Sequence, residues 1–426
     1  MKYLAAFSRW RASAYLFAIF FLAATPLHAQ RGLTKPAAAS TSVQRFTPDK
    51  LGEIDAAIEQ AIADQKCPGG VVWLERDGAV YNKAYGRRAV QPDSEPATLD
   101  TIYDAASLTK VCATTPAIMI LVERQRVNLD APVSSYIPEF SQNGKEGVTV
   151  RHLMTHTSGL RAGIGANSSW SGYEGAIQKA CAEKLQSTPG TQLVYSDINY
   201  FVLGEVVRRV SGQGLHEFVA KEIYQRLKMK DTGYLPGKEK LSRIAPTEPD
   251  ANGNLLRGVV HDPTARQMGG VAGHAGLFTT APDLARFARM LLNEGELDGV
   301  RIMKPETVKL MTTVQTPEAV DGRRGLGWDI DSSFSGPRGK HFPLGSYGHT
   351  GWTGTSLWID PFSKTFIMFL SNRNHPNGKG NVLALRSALG TLAAEAVTDY
   401  DFNKAPAGAL APRPRRAQPK QVLNGI

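Results

Sequence analysis

β-rich runs near the two ends of the chain, with helix-patterned segments between them, constrain this fold more than any other feature. Residues 71–86 (VVWLERDGAVYNKAYG) read as a hairpin, two β-rich runs around Asp77-Gly78. Residues 347–360 and 364–372 read as two adjacent strands joined by Pro361-Phe362-Ser363. Helical patterns fill much of the interval, over about 105–124, 150–156, 172–184, 196–211, 214–228, 281–293 and 304–313. Two more lie outside it, at about 48–65 and 381–397. A stretch from about 236 to 276 is turn-rich and has no clear period. Strands at both ends with helices between imply one mixed domain of the α/β (α+β) class. The terminal strands share a sheet, and the middle forms a helical lobe.

Charge excludes a class of function. The formal net charge is +10 over 426 residues. Residues 1–29 hold Lys2, Arg9 and Arg11 with no acid, and residues 404–426 hold Lys404, Arg413, Arg415, Arg416 and Lys420 with no acid. The stretch between is nearly balanced, so no basic body for nucleic acid is expected. Residues 1–29 read as a secretory signal: a positive start, the apolar run Ala14–Ala24, Pro26, then Ala29 before Gln30. The alternative there is an uncleaved anchor. A secreted or periplasmic location follows, with no stable membrane span after cleavage. Residues 30–46 read as a flexible leader, 47–403 as the folded domain, and 404–426 as a disordered Pro- and Arg-rich tail. Cys67, Cys112 and Cys181 are odd in number and form no metal pattern, so they are expected to be buried and inert.

Three local patterns carry chemistry. The first is Asp104-Ala-Ala-Ser107-Leu-Thr-Lys110 at an expected helix start, with Asp104 as the cap. Ser107 and Lys110 are three apart and share a face. The helix dipole there favours a neutral Lys110 amine and a nearby oxyanion, and such an amine could activate the serine hydroxyl. The second is Tyr195-Ser196-Asp197 ahead of a periodic helix, where Tyr195 suits proton transfer. The third is Gly348-His349-Thr350-Gly351-Trp352 opening a strand, where small residues let a substrate backbone approach.

In this order, S-x-x-K, then Y-x-[polar], then [basic]-T-G, the chain resembles the serine β-lactamase and penicillin-binding-protein superfamily. The long gap from Ser107 to Tyr195 is similar to the class C branch and its esterase, D-aminopeptidase and muramoyl-amidase-like members. Arg151–Leu160 (RHLMTHTSGL), Val260-His261-Asp262-Pro263 and Gly269–Phe278 (GGVAGHAGLF) add to it, and it covers about residues 47–398. The resemblance implies an antiparallel sheet flanked by helices plus a helical lobe, the β-lactamase/transpeptidase-like arrangement. It implies Ser107 as the acylated nucleophile, Lys110 as an aid to its deprotonation, and Tyr195 as proton shuttle. The residues do not choose between Lys110 and Tyr195 as the base. It implies an oxyanion hole from the backbone N–H groups of Ser107 and Trp352, and substrate binding by Asp197, His349, Thr350 and Gly351.

Two positions depart from the class C pattern. Asp197 stands where an asparagine is usual, and an ionised carboxylate only accepts hydrogen bonds. His349 stands where a lysine is usual, and imidazole is mostly neutral at neutral pH. Both changes weaken recognition of a penicillin or D-Ala carboxylate. The implied activity is an acyl-serine hydrolase acting on peptidoglycan-derived peptides, as an amidase or D-Ala peptidase, or on small esters. The alternatives are a true β-lactamase and, from another class, a penicillin- or muropeptide-binding sensor without turnover. His152, His156 and His274 read as core histidines. No HExxH, paired CxxC or P-loop occurs, so neither metal nor cofactor is expected. Gln421–Ile426 resembles the opening of an exo-N-acetylmuramidase-like domain, which suggests a muramidase-like domain or partner downstream.

Overall fold

The computed structural model describes residues 45–413. The expected signal, nearly all of the leader and the end of the tail lie outside the described residues. The main sheet has eight strands: β1 (Gly69–Arg76), β2 (Ala79–Ala89), β3 (Glu95–Pro96), β4 (Arg323–Arg324), β5 (Asp329–Asp331), β6 (Tyr347–Thr350), β7 (Ser356–Asp360) and β8 (Thr365–Ser371). Their order is β3-β2-β1-β8-β7-β6-β5-β4 and every pairing is antiparallel. The N-terminal hairpin thus closes onto the C-terminal strands, with Val72 opposite Phe369 and Leu74 opposite Ile367. The shared sheet inferred from the two terminal β patterns is the one observed.

Both sheet faces are covered, which explains why β7 and β8 are buried along their whole length. On one face, Val72, Leu74, Trp358, Ile367 and Phe369 pack under α1 (Pro48–Ala63) and a C-terminal helix (Leu383–Ala396). Ile54, Ile58 and Ala61 form the buried stripe of α1, at spacings of four and three. On the other face, Val71, Trp73, Leu357, Ile359, Met368 and Leu370 join the large core of the helical middle. That middle includes α2 (Thr115–Glu123), α3 (Asp197–Ser211) and α4 (Ala281–Leu292). Among the described residues, no helix is long and apolar enough to cross a membrane. The three cysteines are free and buried.

The structure corrects the expected elements in three places. The run 347–360 is two strands, because residues 351–355 turn the chain back between β6 and β7. The helix expected from Ala105 enters through a turn instead, with a π-helical turn at Lys110–Thr114 ahead of α2. Residues 404–413 also do not leave the fold at Lys404. The Leu410 N–H bonds the Leu344 carbonyl at 2.9 Å, and Arg323 donates to the Ala411 carbonyl at 2.7 Å. Leu410 lies on a groove of about 700 Å³ bordered by Val308, Tyr347 and Phe362.

The β7–β8 turn supplies a pH test. Asp360 is buried and accepts from the Phe362 and Ser363 N–H groups at 3.2 and 3.1 Å and from the Ser363 hydroxyl at 2.5 Å. Burial outweighs these donors and pushes its carboxyl up to about 6, from 3.8. The folded state therefore binds this proton more tightly than the unfolded state. The stability it contributes is complete below about pH 4 and lost as pH rises through about 6, some 3 kcal/mol at most. Denaturant titrations should show that fall in the parent protein, and Asp360→Asn should flatten it.

Candidate active site

The nucleophile turn is held from both ends. Tyr103–Asp104 forms a short strand against Leu277–Thr279, which in turn pairs with Gly233–Tyr234. Asp104 does not cap a helix. Its Oδ1 accepts from Ala106 N–H at 2.8 Å and its Oδ2 from His261 N–H at 2.7 Å. Burial raises the Asp104 carboxyl despite these donors. Ala106 sits at φ +47°, a left-handed backbone that costs an alanine about 1–2 kcal/mol. The Asp104 bond and the Thr109 N–H to Ala106 carbonyl bond (2.9 Å) hold it there. The result is that Ser107 stands at the head of the helix with Lys110 one turn below.

The sheet closes on this turn from the other side. Thr353 Oγ1 donates to the Asp104 carbonyl at 2.7 Å, and Thr355 Oγ1 to the Ala105 carbonyl at 2.9 Å. Gly351 is there because nothing larger fits. A Cβ would collide with the Thr355 hydroxyl and lie 2.5 Å from the Ala105 carbonyl oxygen. Gly351→Ala should therefore cost about 1–3 kcal/mol of stability through overpacking, read as a lower denaturation midpoint. It should also slow labelling of Ser107 by an acylating probe. Unchanged labelling would show that the sheet end does not position the serine.

Lys110 is fully buried and is the hub of the site. Its Nζ donates to Ser107 Oγ at 3.0 Å and to the His274 carbonyl at 3.2 Å, and pairs with Asp197 Oδ1 at 2.7 Å. The Tyr195 ring centroid is 4.9 Å away. Burial favours the neutral amine, but Asp197 and Tyr195 together outweigh it and raise the lysine above its ordinary value. Lys110 is therefore an ammonium at neutral pH. The neutral amine expected from the helix dipole is overturned, because a carboxylate at 2.7 Å acts more strongly than partial charges at a helix end.

Tyr195 lies between rings and cations. His156 stacks on it with centroids 4.5 Å apart, Phe334 is at 5.4 Å and His349 at 5.9 Å. The Arg324 guanidinium is 5.9 Å from the ring. His156 Nδ1 accepts from the Ser196 N–H at 3.1 Å. It is held well below its ordinary pKa by burial first and then by Arg324 and Lys110. His349 Nδ1 bonds the Thr350 carbonyl at 2.8 Å, and burial with the Arg324 and Lys110 charges holds it far below 6.5. His349 is therefore a neutral ring. Ser107, Lys110, Tyr195, Asp197 and His349 are thus brought together, and Thr350 and Gly351 end the strand beside them. The Trp352 indole points out, 63% exposed. Among the described residues, neither the Ser107 nor the Trp352 N–H has a protein acceptor.

Sequence reasoning missed three members. His274 is not merely core: its carbonyl accepts a hydrogen bond from Lys110 Nζ, and its Nε2 meets Asp262 Oδ1 at 2.9 Å. Asp262 also accepts from the Ala265 N–H at 2.7 Å. Burial opposes its charge, yet His274 and Lys110 hold its carboxyl far below the usual range. His156 was likewise read as core and is the platform under Tyr195. Asp197, Asp262 and His274 offer ligand atoms within 4.8 Å of one another, a spacing a cation could use. The Lys110 ammonium already brings a positive charge to this set and repels a second.

Comparisons with known proteins bear on the family and the fold. The family described as Beta-lactamase matches residues 54–392. The chain is 33% identical over 380 residues to "N-acetylmuramyl-L-alanine amidase" of Bacillus subtilis (strain 168), covering 80% of this chain and 85% of that one. It is 32% identical over 369 residues to "Putative D-alanyl-D-alanine carboxypeptidase" of Escherichia coli (strain K12), covering 78% and 84%. Among solved structures, an octameric penicillin-binding protein homologue from Pyrococcus abyssi superposes with a TM-score of 0.63. It is 27% identical and covers 82% of this chain and 79% of that one.

Proposed function

Because the chain belongs to the Beta-lactamase family, we propose that this serine hydrolase is exported and opens an amide bond of peptidoglycan-derived peptides through an acyl-Ser107 intermediate. The observation that carries the reading is Lys110, bonded at once to Ser107 and Asp197, at 3.0 and 2.7 Å. An ammonium that donates to Ser107 has no lone pair for its proton. The Tyr195 oxygen is then the acceptor, with Lys110 holding serine and tyrosine in one set.

In this scheme Tyr195 acts as a phenolate beside the Lys110 ammonium; Ser107 Oγ attacks the acyl carbon and its proton passes to the Tyr195 oxygen. The carbonyl oxygen gains charge before the Ser107 and Trp352 N–H groups. Tyr195 returns the proton to the leaving nitrogen as the C–N bond breaks. Water then attacks the acyl-serine, gives its proton to Tyr195, and Ser107 recovers it as the acid leaves. His349, Thr350, Gly351 and Asp197 line the substrate's path. The part-exposed Asp197 carboxylate and a neutral imidazole disfavour a penicillin carboxylate, which argues against a dedicated β-lactamase. Relatives named as an amidase and as a carboxypeptidase support amide cleavage.

The test is a panel of muramoyl peptides, peptides ending in D-Ala-D-Ala, nitrocefin and p-nitrophenyl esters, followed by product mass. Release of a peptide or of D-alanine is expected. Turnover of nitrocefin or esters alone, with every muropeptide and D-alanyl peptide intact, would overturn the reading. Export predicts a mature protein beginning near Gln30 in the periplasmic or extracellular fraction.

A further inference from the structure

A second carboxylate stands near Lys110 and takes no part in the proton transfers from Ser107 to the leaving group. Asp262 Oδ1 lies 2.9 Å from His274 Nε2, and the His274 carbonyl accepts from Lys110 Nζ at 3.2 Å. One histidine thus joins Asp262 to the lysine, by its ring on one side and its backbone on the other. A carboxylate only accepts, so the ring hydrogen in this bond sits on Nε2. Nδ1 is buried with no partner among the described residues, which leaves Asp262 as the polar anchor of the ring. Asp197, Asp262 and His274 bring their polar atoms within 4.8 Å of one another.

Both ends of this bridge are fixed. His261 donates its N–H to Asp104 at 2.7 Å, and Arg266 Nη1 holds the Val260 and His261 carbonyls at 2.9 and 3.1 Å. Asp262 also caps the short turn Pro263–Gln267 through the Ala265 N–H. At the other end the Gly273 carbonyl accepts from Thr114 Oγ1 at 2.6 Å. Gly273 has no room for a Cβ, which would strike the Tyr200 carbonyl of α3. The Phe201 ring meets the His274 ring edge-on at 4.5 Å. Asp197 is the first residue of α3, so the bridge is pressed against the helix that carries the other carboxylate.

Two carboxylates this close repel, and a cation beside them lets both stay ionised. Asp262 responds to that cation, since His274 and Lys110 hold its carboxyl far below the usual range. The attraction is mutual, so Asp262 favours the ammonium that burial disfavours. We propose that Asp262 is a positioning residue, which through His274 and by its own charge keeps the Lys110 ammonium on Ser107. This rests on the reading of Lys110 as the charged partner of serine and Tyr195. The other groups that face Lys110 are Asp197, Tyr195 and the Tyr200 ring at 5.7 Å, with the neutral His156 and His349 and the Arg324 guanidinium around Tyr195. Asp104 and the His261 ring act on one another and on Asp262 from the nucleophile turn.

Asp262→Asn tests the charge alone. Asparagine keeps an oxygen for the Ala265 N–H and for His274 Nε2, and it caps a helix as well as aspartate does. The readout is the rate of Ser107 labelling by a fluorophosphonate from about pH 6 to 9, each rate compared with the parent's at the same pH. A thermal midpoint checks the fold. Removing a negative charge lowers the lysine pKa, so the loss should grow with pH, from about twofold near pH 6 to about tenfold near pH 9. Asp262→Glu should return part of the alkaline rate. Asp262→Ala also frees the ring, and should add a further loss of about threefold that is the same at every pH. A loss in Asp262→Asn that is equal at every pH, or no loss, overturns the proposal. An alanine variant no slower than the asparagine variant overturns the part given to His274. If labelling follows the expected course but no muropeptide or D-alanyl peptide is cleaved, the amide-hydrolase reading falls and Asp262 keeps its role. If those peptides are cleaved and the loss is flat with pH, the role of Asp262 alone falls.

Discussion

Ser107→Ala should abolish the covalent adduct with any acylating probe and lower kcat/KM by at least about a thousandfold. The size follows from the division of labour. Lys110, Tyr195 and the backbone donors would all remain, and what positioning and oxyanion donors supply over water is what the variant would keep. Folding should be spared. Among the described residues the side-chain partner of the Ser107 hydroxyl is Lys110, and the serine is not fully buried. The Ala106 turn is held by Asp104 and by backbone bonds that the substitution leaves in place. Intact-mass analysis after probe treatment reads the adduct, and a thermal midpoint within a few degrees confirms the fold. An adduct that persists on the alanine variant would place the nucleophile elsewhere.

The same residues show what a sequence makes legible. Ser107 and Lys110 announce themselves because their relation is local, three positions on one helix. Tyr195 and Asp197 do so through their junction with α3. Both β patterns were readable because a hairpin is a short-range object, and the shared sheet followed from layer packing. Asp262 and His274 were not readable as site residues. They reach Lys110 only because Leu277–Thr279 pairs with Tyr103–Asp104, a contact over more than 150 positions that no local period records. The neutral Lys110 was a wrong inference of the same kind. The dipole of the helix start is visible in the sequence, whereas the 2.7 Å approach of Asp197 is a product of the fold. The helix was also expected too early, since Asp104 has the composition of a cap but bonds the Ala106 and His261 N–H groups instead. A strand expected as one run is two, because the Gly351–Thr355 turn must press against the serine turn.

Asp197→Asn should slow turnover by about a hundredfold at alkaline pH and by much less in mild acid. Asp197 and Tyr195 raise the pKa of Lys110 against a burial penalty that is the largest single influence on it. Asparagine keeps the size of the side chain and removes its charge, so burial then prevails and the lysine pKa falls. The sign follows. In the parent protein the ammonium survives through neutral and moderately alkaline pH. In the variant it is lost as pH rises through the lowered value, and the rate falls with it. Acid restores the proton and with it part of the rate. Retaining the charge without its partner is the costly alternative, about 3–5 kcal/mol for a broken buried pair, reduced here because Asp197 is 32% exposed. Profiles of kcat/KM and of Ser107 labelling from about pH 5.5 to 9 separate the outcomes. A loss equal at every pH would make Asp197 a packing residue. An unchanged profile would mean that the charge on Lys110 does not matter to the reaction, and the assignment of Tyr195 as proton acceptor would lose its reason.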